Sequence, residues 1–229
     1  MSDPTTISEA SIGRLPLYLR ALAEMLDQGV MTVSSEALAA ATGVQSSLVR
    51  RDLDQFGSYG TRGVGYSVTT LQEEIQRIVG ATRTWKVALV GAGNLGQALV
   101  RHFGARSSTS FDVVAIIDIS PDLVGSSIQG TTVTHQRDLA ETIRGTGAEL
   151  AIIATPASAA QDVADALIGA GVMSLLNMAP TTLRVTDDVN VRSMDFTQEL
   201  QILSYHEARR GVSTAPQRET TGPAPTNWT

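Results

Sequence analysis

The stretch Trp85-Lys-Val-Ala-Leu-Val-Gly-Ala-Gly-Asn-Leu-Gly-Gln-Ala-Leu-Val100 limits what this chain can fold into more than any other. A short apolar run, Val87 to Val90, reads as a buried strand and breaks at Gly91. Beyond it Leu95, Ala98, Leu99 and Phe103 fall on one face of a helix. Between strand and helix lies Gly91-x-Gly93-x-x-Gly96, the spacing of a dinucleotide-binding turn, with Ala92, Asn94 and Leu95 completing the loop. Gly91 permits the tight turn, Gly93 lets backbone approach a pyrophosphate, and Gly96 lets helix and strand pack closely. An anion there meets the first N–H groups and the positive end of the helix dipole. A second strand, Phe111 to Ile117, ends in Asp118, near the roughly 20-residue offset expected of the ribose-binding acid. Asp118 is expected to accept both ribose hydroxyls and to repel a 2′-phosphate. No Arg or Lys follows in Ile119-Ser120-Pro121-Asp122, so the pattern favours NAD(H) over NADP(H).

The downstream sequence continues in the same style. Glu149 to Ile153 and Val172 to Leu176 read as buried strands, separated by a helix carrying Val163, Leu167 and Ile168. Alternating strands and helices imply an α/β fold with a parallel sheet and right-handed crossovers. Ligands bind such sheets at the carboxyl ends of the strands. Thr155, Pro156 and Asn177 fall on that edge with Gly91 and Asp118. Each alone most often reads as a plain turn residue; their shared edge makes them candidates for nicotinamide or ribose contacts.

The N-terminal third has a different texture. Met1 to Ser11 is polar and expected to fray. Leu15 to Gln28 has helical periodicity, with Leu15, Leu19, Leu22 and Leu26 in one stripe and Pro16 suited to the first turn. Ser34 or Ser35 caps a second helix that ends at Thr42-Gly43. A third runs from Gln45 to Phe56, with Val49, Leu53 and Phe56 inward, Ser46, Ser47, Arg50 and Asp54 outward, and Arg51 at the flank. Two short helices joined at a glycine make a helix-turn-helix candidate. An ordinary three-helix cap, with Arg50 and Arg51 solvated or paired to Asp52 and Asp54, fits the same pattern. The segment Gly57 to Val68 is rich in glycine and reads as a β-hairpin wing with Arg62 near its tip. A cation on a protruding glycine loop suits a narrow minor groove, although a solvated turn residue explains it too. Residues 44–66 set three arginines against Asp52 and Asp54, so one module would bind DNA feebly and a dimer is required.

The net charge of −6 says little about a local basic surface. With no Cys there is no disulfide, thiolate metal site or thiol switch, so any redox sensing must come through a bound molecule. No signal peptide and no apolar run of spanning length is evident, and a cytoplasmic location is expected. The C-terminal part offers a short strand, Asn190 to Ser193, then a helix with Asp195 as N-cap. Phe196, Leu200, Leu203 and Ile202 form its apolar stripe, which could face its own domain or a second subunit. From Gly211 onward Ser, Thr, Pro and Gly dominate. The expected organisation is a winged helix-turn-helix domain over 1–80, a Rossmann domain over 81–210, and a disordered tail over 211–229.

Taken together the motifs resemble those of a known family, the Rex redox-sensing transcriptional repressors. They are Arg14-Leu15, Tyr18-Leu19-Arg20, Val49-Arg50-Arg51-Asp52-Leu53, Phe56-Gly57-x-x-Gly60-x-Arg62-Gly63-Val64-Gly65-Tyr66, Gly91-x-Gly93-Asn94-Leu95-Gly96 and Leu176-Asn177-x-Ala179-Pro180. The resemblance runs from about Ile12 to about Tyr205. It implies a winged helix, a Rossmann domain binding NADH and NAD⁺, and a homodimer that exchanges C-terminal helices. By position it places Arg50 and Arg51 in the major groove and Arg62 at the wing; Gln45, Ser46 and Ser47 at the start of the same helix, and Gly63 and Tyr66 in the wing, are further candidate DNA contacts. It also implies that Arg20 pairs with Asp195 of the partner subunit. This chain has Arg101-His102-Phe103 where family members often carry a tyrosine close to the nicotinamide.

A small NAD-dependent dehydrogenase is the competing reading. It needs a general acid or base beside the nicotinamide, and the candidates are sparse: His102, His135, His206 and the single lysine, Lys86. A CoA-binding domain of similar fold explains the glycines but gives Asp118 and the N-terminal helices no role. From two-fold symmetry, the DNA site expected of the repressor reading is an inverted repeat with half-sites whole helical turns apart.

Overall fold

The structure, a computed structural model, describes residues 7–57, 60–61, 64–104 and 110–213. The chain divides into two compact units, Met1–Thr84 and Trp85–Thr229. The division falls slightly beyond the expected 80/81 boundary, the turn after the last helix of the first unit staying with that unit.

The first unit runs α1 (Glu9–Asp27), β1 (Thr32–Val33), α2 (Ser35–Thr42), α3 (Ser46–Phe56), β2 (Gly60–Thr61), β3 (Gly65–Ser67) and α4 (Val68–Ile78). Helix α1 starts earlier than its apolar stripe suggests. Ser8 caps it, accepting the Ser11 N–H at 3.2 Å, and Glu9 sits where the helix dipole favours an acid. Residues 9–11 are therefore helical rather than frayed, and Pro16 lies in the helix interior. Leu15, Tyr18 and Leu22 of α1 pack with Leu38, Val49, Leu53, Leu71 and Ile75 into one core. Each such side chain stabilises the fold by roughly 1.5–3 kcal/mol. Between α2 and α3 the chain turns at Gly43, whose φ of 70° is the left-handed region that a glycine C-cap fills. The strands form an antiparallel sheet in the order β1-β3-β2. A Cβ on Gly65 would lie 2.5 Å from the Val33 carbonyl oxygen, so the wing can cross β1 only on a glycine.

The second unit runs β4 (Trp85–Val90), α5 (Asn94–Gly104), β5 (Phe111–Asp118), β6 (Ser127–Ile128), β7 (Thr131–His135), a 3₁₀ turn (Gln136–Asp138), α6 (Leu139–Thr146), β8 (Leu150–Ile153), α7 (Ala157–Gly169), β9 (Ser174–Asn177), β10 (Asn190–Ser193) and α8 (Phe196–Ser213). Seven strands pair in the order β10-β9-β8-β4-β5-β7-β6, parallel except for β6. Ala88 and Val90 face one core with Val163 and Leu167 of α7, and Val87 and Leu89 face the other with Val100 of α5. Coverage on both faces explains why β4 reads as a continuous apolar run. Within α5 the buried positions are Gly96 and Val100, flanked by Leu99 and Phe103; Leu95 and Ala98, expected to be inward, are exposed. Gly96 packs directly against the Gly91 carbonyl and Leu89, which turns the buried face by about one position from the simple apolar stripe. Helix α8 continues to Ser213, so 211–213 belong to the helix and not to the tail; 214–229 lie outside the described residues.

Candidate functional site

Strand order reverses at β4. The chain fills one side of it with β5 and β7 and returns to fill the other with β8, β9 and β10. Crossovers then leave β4 and β8 in opposite directions, opening a crevice beyond their carboxyl ends. Gly91 occupies that point with φ 100°, and a Cβ there would lie 2.5 Å from the Ala154 carbonyl oxygen. A Cβ on Gly96 would lie 1.9 Å from the Gly91 carbonyl oxygen, while one on Gly93 would meet nothing within 4 Å. Two glycines are thus needed by the turn itself. Gly93 keeps its outer face clear, as an approaching phosphate requires.

Asp118 ends β5 beside this turn. One carboxylate oxygen accepts the Ala92 N–H at 2.5 Å and the other accepts the Ser120 N–H at 2.7 Å. These contacts brace the glycine turn, which the ribose-binding expectation does not include. Each oxygen keeps a further acceptor site, enough for two hydroxyl donors. Asn94 and Leu95 open α5, whose first N–H groups have no intrahelical acceptor. Thr155 and Pro156 follow β8 on the same edge, and the Thr155 Oγ1 is buried with no hydrogen-bond partner among the described residues. A buried hydroxyl left over at the crevice is what a missing ligand contact looks like. The residues fit a dinucleotide.

Asn177 differs from its expected role. It lies on the edge, but its side chain is fully buried, donating to the Thr181 carbonyl at 2.7 Å and accepting the Ala179 N–H at 3.0 Å. It shapes the Ala179-Pro180 loop rather than reaching outward. His102 is exposed in the last turn of α5, edge-on to Phe103. At 1.5 Å per residue that is about 12 Å along the helix from the glycine turn.

In the first unit, Gln45, Ser47, Arg50 and Arg51 are exposed and Ser46 is half-buried at the start of α3. Tyr66 of β3 is half-buried, and burial raises its phenol above the ordinary value, with the nearby Asp54 carboxylate adding to the effect. Arg62 and Gly63 lie outside the described residues. Arg50 pairs with neither Asp52 nor Asp54. Its Nε donates to Ser35 Oγ at 2.9 Å and its Nη2 meets the Glu36 carboxylate. Glu36 is held below the usual carboxylate range by its own backbone N–H and by Ser34, with Arg50 contributing. A groove of about 550 Å³ lies between these residues and the wing, lined also by Ser34, Gly60, Thr61 and Tyr66.

Asp52 is wholly buried. It accepts from Arg14 Nε and Nη2, each at 2.6 Å, from Tyr18 OH at 2.7 Å and from Ser11 Oγ at 2.9 Å. Burial alone would raise this carboxyl; the donors from Arg14, Tyr18 and Ser11 outweigh it and hold it below the usual range. The sequence alone counts Asp52 in the surface charge balance of residues 44–66, and the structure corrects this. The signal against that was available: Val49, Asp52, Leu53 and Phe56 share one helical face. With the Asp52 charge compensated inside by Arg14, the outer charge balance among the described residues of this region is set by Arg50, Arg51, Asp54 and Glu36 instead.

Asp195 caps α8 as expected, accepting the Thr197 N–H at 2.8 Å, and its Oδ2 has no partner among the described residues. Arg20 is exposed on α1. Every described position of α8 from 196 to 210 is exposed, with Leu200 and Leu203 at 62% and Phe196 at 56%. Among the described residues no helix is long and apolar enough to cross a membrane, and no cluster of His, Asp and Glu is placed to hold a metal.

The family model described as "Putative DNA-binding protein N-terminus" matches residues 6–54, and that of a CoA binding domain matches residues 82–181. The chain is 51% identical over 204 residues to the redox-sensing transcriptional repressor Rex of Streptomyces avermitilis, covering 89% of this chain and 81% of that one. It is 44% identical over 203 residues to the Rex of Carboxydothermus hydrogenoformans, covering 89% of this chain and 97% of that one. Among solved structures it is similar to RSP, a Rex-family repressor, in complex with β-NAD⁺ and operator DNA. The TM-score is 0.85 at 34% identity, covering 95% of this chain and 100% of that one. It is also similar to RSP in complex with β-NADH, with a TM-score of 0.81 at 33% identity over 91% of this chain and 98% of that one.

Proposed function

Because the chain belongs to the Rex family of redox-sensing transcriptional repressors, we propose that it binds an inverted-repeat operator as a homodimer and leaves it when NADH fills the β4–α5 crevice. The observation that carries this reading is the Asp118 carboxylate beside an open Gly93, in a chain whose other unit presents Arg50 and Arg51 outward from α3. The Gly91–Gly96 turn takes the pyrophosphate, and Asp118 takes the ribose hydroxyls. Thr155 Oγ1 and the loop held by Asn177 face the nicotinamide end. The similar CoA-binding fold explains the glycines equally, but Asp118 and the relatives that bind NAD⁺ and NADH favour the dinucleotide. The relatives are transcriptional repressors, which leaves the dehydrogenase reading without support.

Reduction changes the nicotinamide from a planar cation to a neutral, puckered ring, and the residues able to register this are Thr155, Pro156 and the 177–180 loop. DNA contacts come from the start of α3, with Gln45, Ser46, Ser47, Arg50 and Arg51, and from the wing, with Arg62, Gly63 and Tyr66. Dimerisation is supported by the wholly exposed apolar stripe of α8, whose Asp195 would meet Arg20 of the partner subunit. The protein would act in the cytoplasm, where its operator is. Linkage requires operator DNA to weaken NADH binding by the factor that NADH weakens DNA binding, typically about 5–150-fold. The test is a DNA titration at fixed salt with saturating NADH, with NAD⁺ and with neither. Weaker operator binding with NADH alone is expected, and equal affinity in all three would overturn the sensor.

A further inference from the structure

The geometry points to Glu36 as a determinant of DNA specificity: it fixes the Arg50 guanidinium with one edge outward for guanine and repels phosphate that offers nothing to that edge. The inference rests on α3 being the DNA-reading helix, as proposed above. The Nε and Nη2 nitrogens that meet Ser35 and Glu36 form the side edge of the guanidinium. The end edge, made by Nη1 and the second Nη2 hydrogen, has no partner among the described residues. A planar fork with one edge held and the other free matches the paired N7 and O6 acceptors of guanine. Arg50 held in this way has less side-chain freedom left to lose on binding.

The carboxylate has a second effect. Glu36 and Arg50 are each 58% exposed and line the groove between α2 and the wing. Binding to random DNA rests almost wholly on phosphate contacts. Phosphate entering that groove meets a negative charge and competes with it for Arg50. A guanine at the free edge needs no such competition, because it uses donors that Glu36 leaves open. Glu36 therefore weakens all DNA binding somewhat and sequence-independent binding most. An exposed ion pair contributes little to folding, so removing it tests recognition rather than stability.

The test uses a duplex selected by the wild-type protein from a random pool and a shuffled duplex of the same length and composition, titrated at one salt concentration. Glu36→Gln should bind the shuffled duplex more tightly and lower the selected-to-shuffled affinity ratio by about tenfold, within the discrimination that one bidentate contact supplies. In an Arg50→Ala background, Glu36→Gln should strengthen both duplexes alike and leave the ratio unmoved. A ratio unchanged or increased by Glu36→Gln alone, or an equal drop in the Arg50→Ala background, would overturn the inference. A wild-type selection that enriches no sequence would instead overturn the assignment of α3.

Discussion

Asp52 and Arg14 are joined at two points, Nε to one carboxylate oxygen and Nη2 to the other, each at 2.6 Å. The contact ties helix α3 to α1 across 38 residues of sequence. Tyr18 and Ser11 complete the shell, so the buried charge is compensated rather than isolated.

Removing that carboxylate leaves Arg14, Tyr18 and Ser11 facing an apolar gap. Asp52→Ala should destabilise the winged-helix unit by about 3–5 kcal/mol, the usual cost of breaking a buried pair from one side. The pH dependence separates charge from packing. Asp52 is held below the usual carboxylate range, so its contribution is complete above the unfolded value near 3.9 and fades as pH falls through the folded value. Tyr18 is raised, first by burial and then by Asp52, so its contribution holds below about 10 and fades as pH climbs past its folded value. The stability difference between wild type and Asp52→Asn in urea unfolding should be flat from about pH 5 to 9 and shrink below about 4. A difference that persists undiminished at pH 2 would show that the charge contributes nothing.

The second prediction concerns Asp118. Asp118→Ala should weaken NADH binding by roughly 10–150-fold, since hydrogen bonds to a charged acceptor are worth about 1.5–3 kcal/mol. Asp118→Arg should raise affinity for NADPH relative to NADH. Calorimetric titration of both nucleotides decides it. Unchanged NADH affinity in Asp118→Ala would reduce the residue to a brace for Ala92.

Gly93 and Gly96 should part company under the same substitution. Gly96→Ala places a Cβ 1.9 Å from the Gly91 carbonyl oxygen and should cost the Rossmann unit about 1–3 kcal/mol by overpacking. Gly93→Ala meets nothing within 4 Å and should unfold like the wild type while binding NADH more weakly. Thermal unfolding with and without NADH reads both effects. Equal loss of stability in the two variants would mean that the turn is not built as described.

The exposed stripe of α8 makes a fourth prediction. Leu200→Glu and Leu203→Glu alter surface positions of the single chain, so each should leave the chain folded. In a dimer they would bury a charge and lose roughly 1.5–3 kcal/mol per leucine removed. Sedimentation should show a shift toward monomer, with operator affinity falling in parallel. A dimer as stable as the wild type would mean that α8 is not the joining element.

Most of the α/β unit is legible in the sequence because its signals are local. The Gly91–Gly96 spacing and Asp118 lie within one strand-turn-helix-strand unit, and burial on both faces writes β4 as an unbroken apolar run. What was hidden depends on chain segments far apart. Nothing local says that Arg50 will meet Glu36 or that Asp52 will meet Arg14, because helix packing decides both. Strand β1 has two residues, too few to show alternation. Asn177 lies at the end of its strand as the sequence implies, yet strand position does not reveal that its amide is taken by Thr181 and Ala179.

Helix α8 follows every other described element in chain order and carries the exposed face on which pairing is proposed to depend. A ribosome completes the winged helix long before α8 emerges. On the proposed assignments of α3 and α8, a nascent or prematurely released chain would carry a DNA-reading helix without its pairing helix, and a single module holds DNA weakly. Synthesis itself would act as a checkpoint: a polypeptide could occupy a two-part operator only once its nucleotide-sensing half had been made, so no abortive product could silence a promoter without also responding to the cell's redox state.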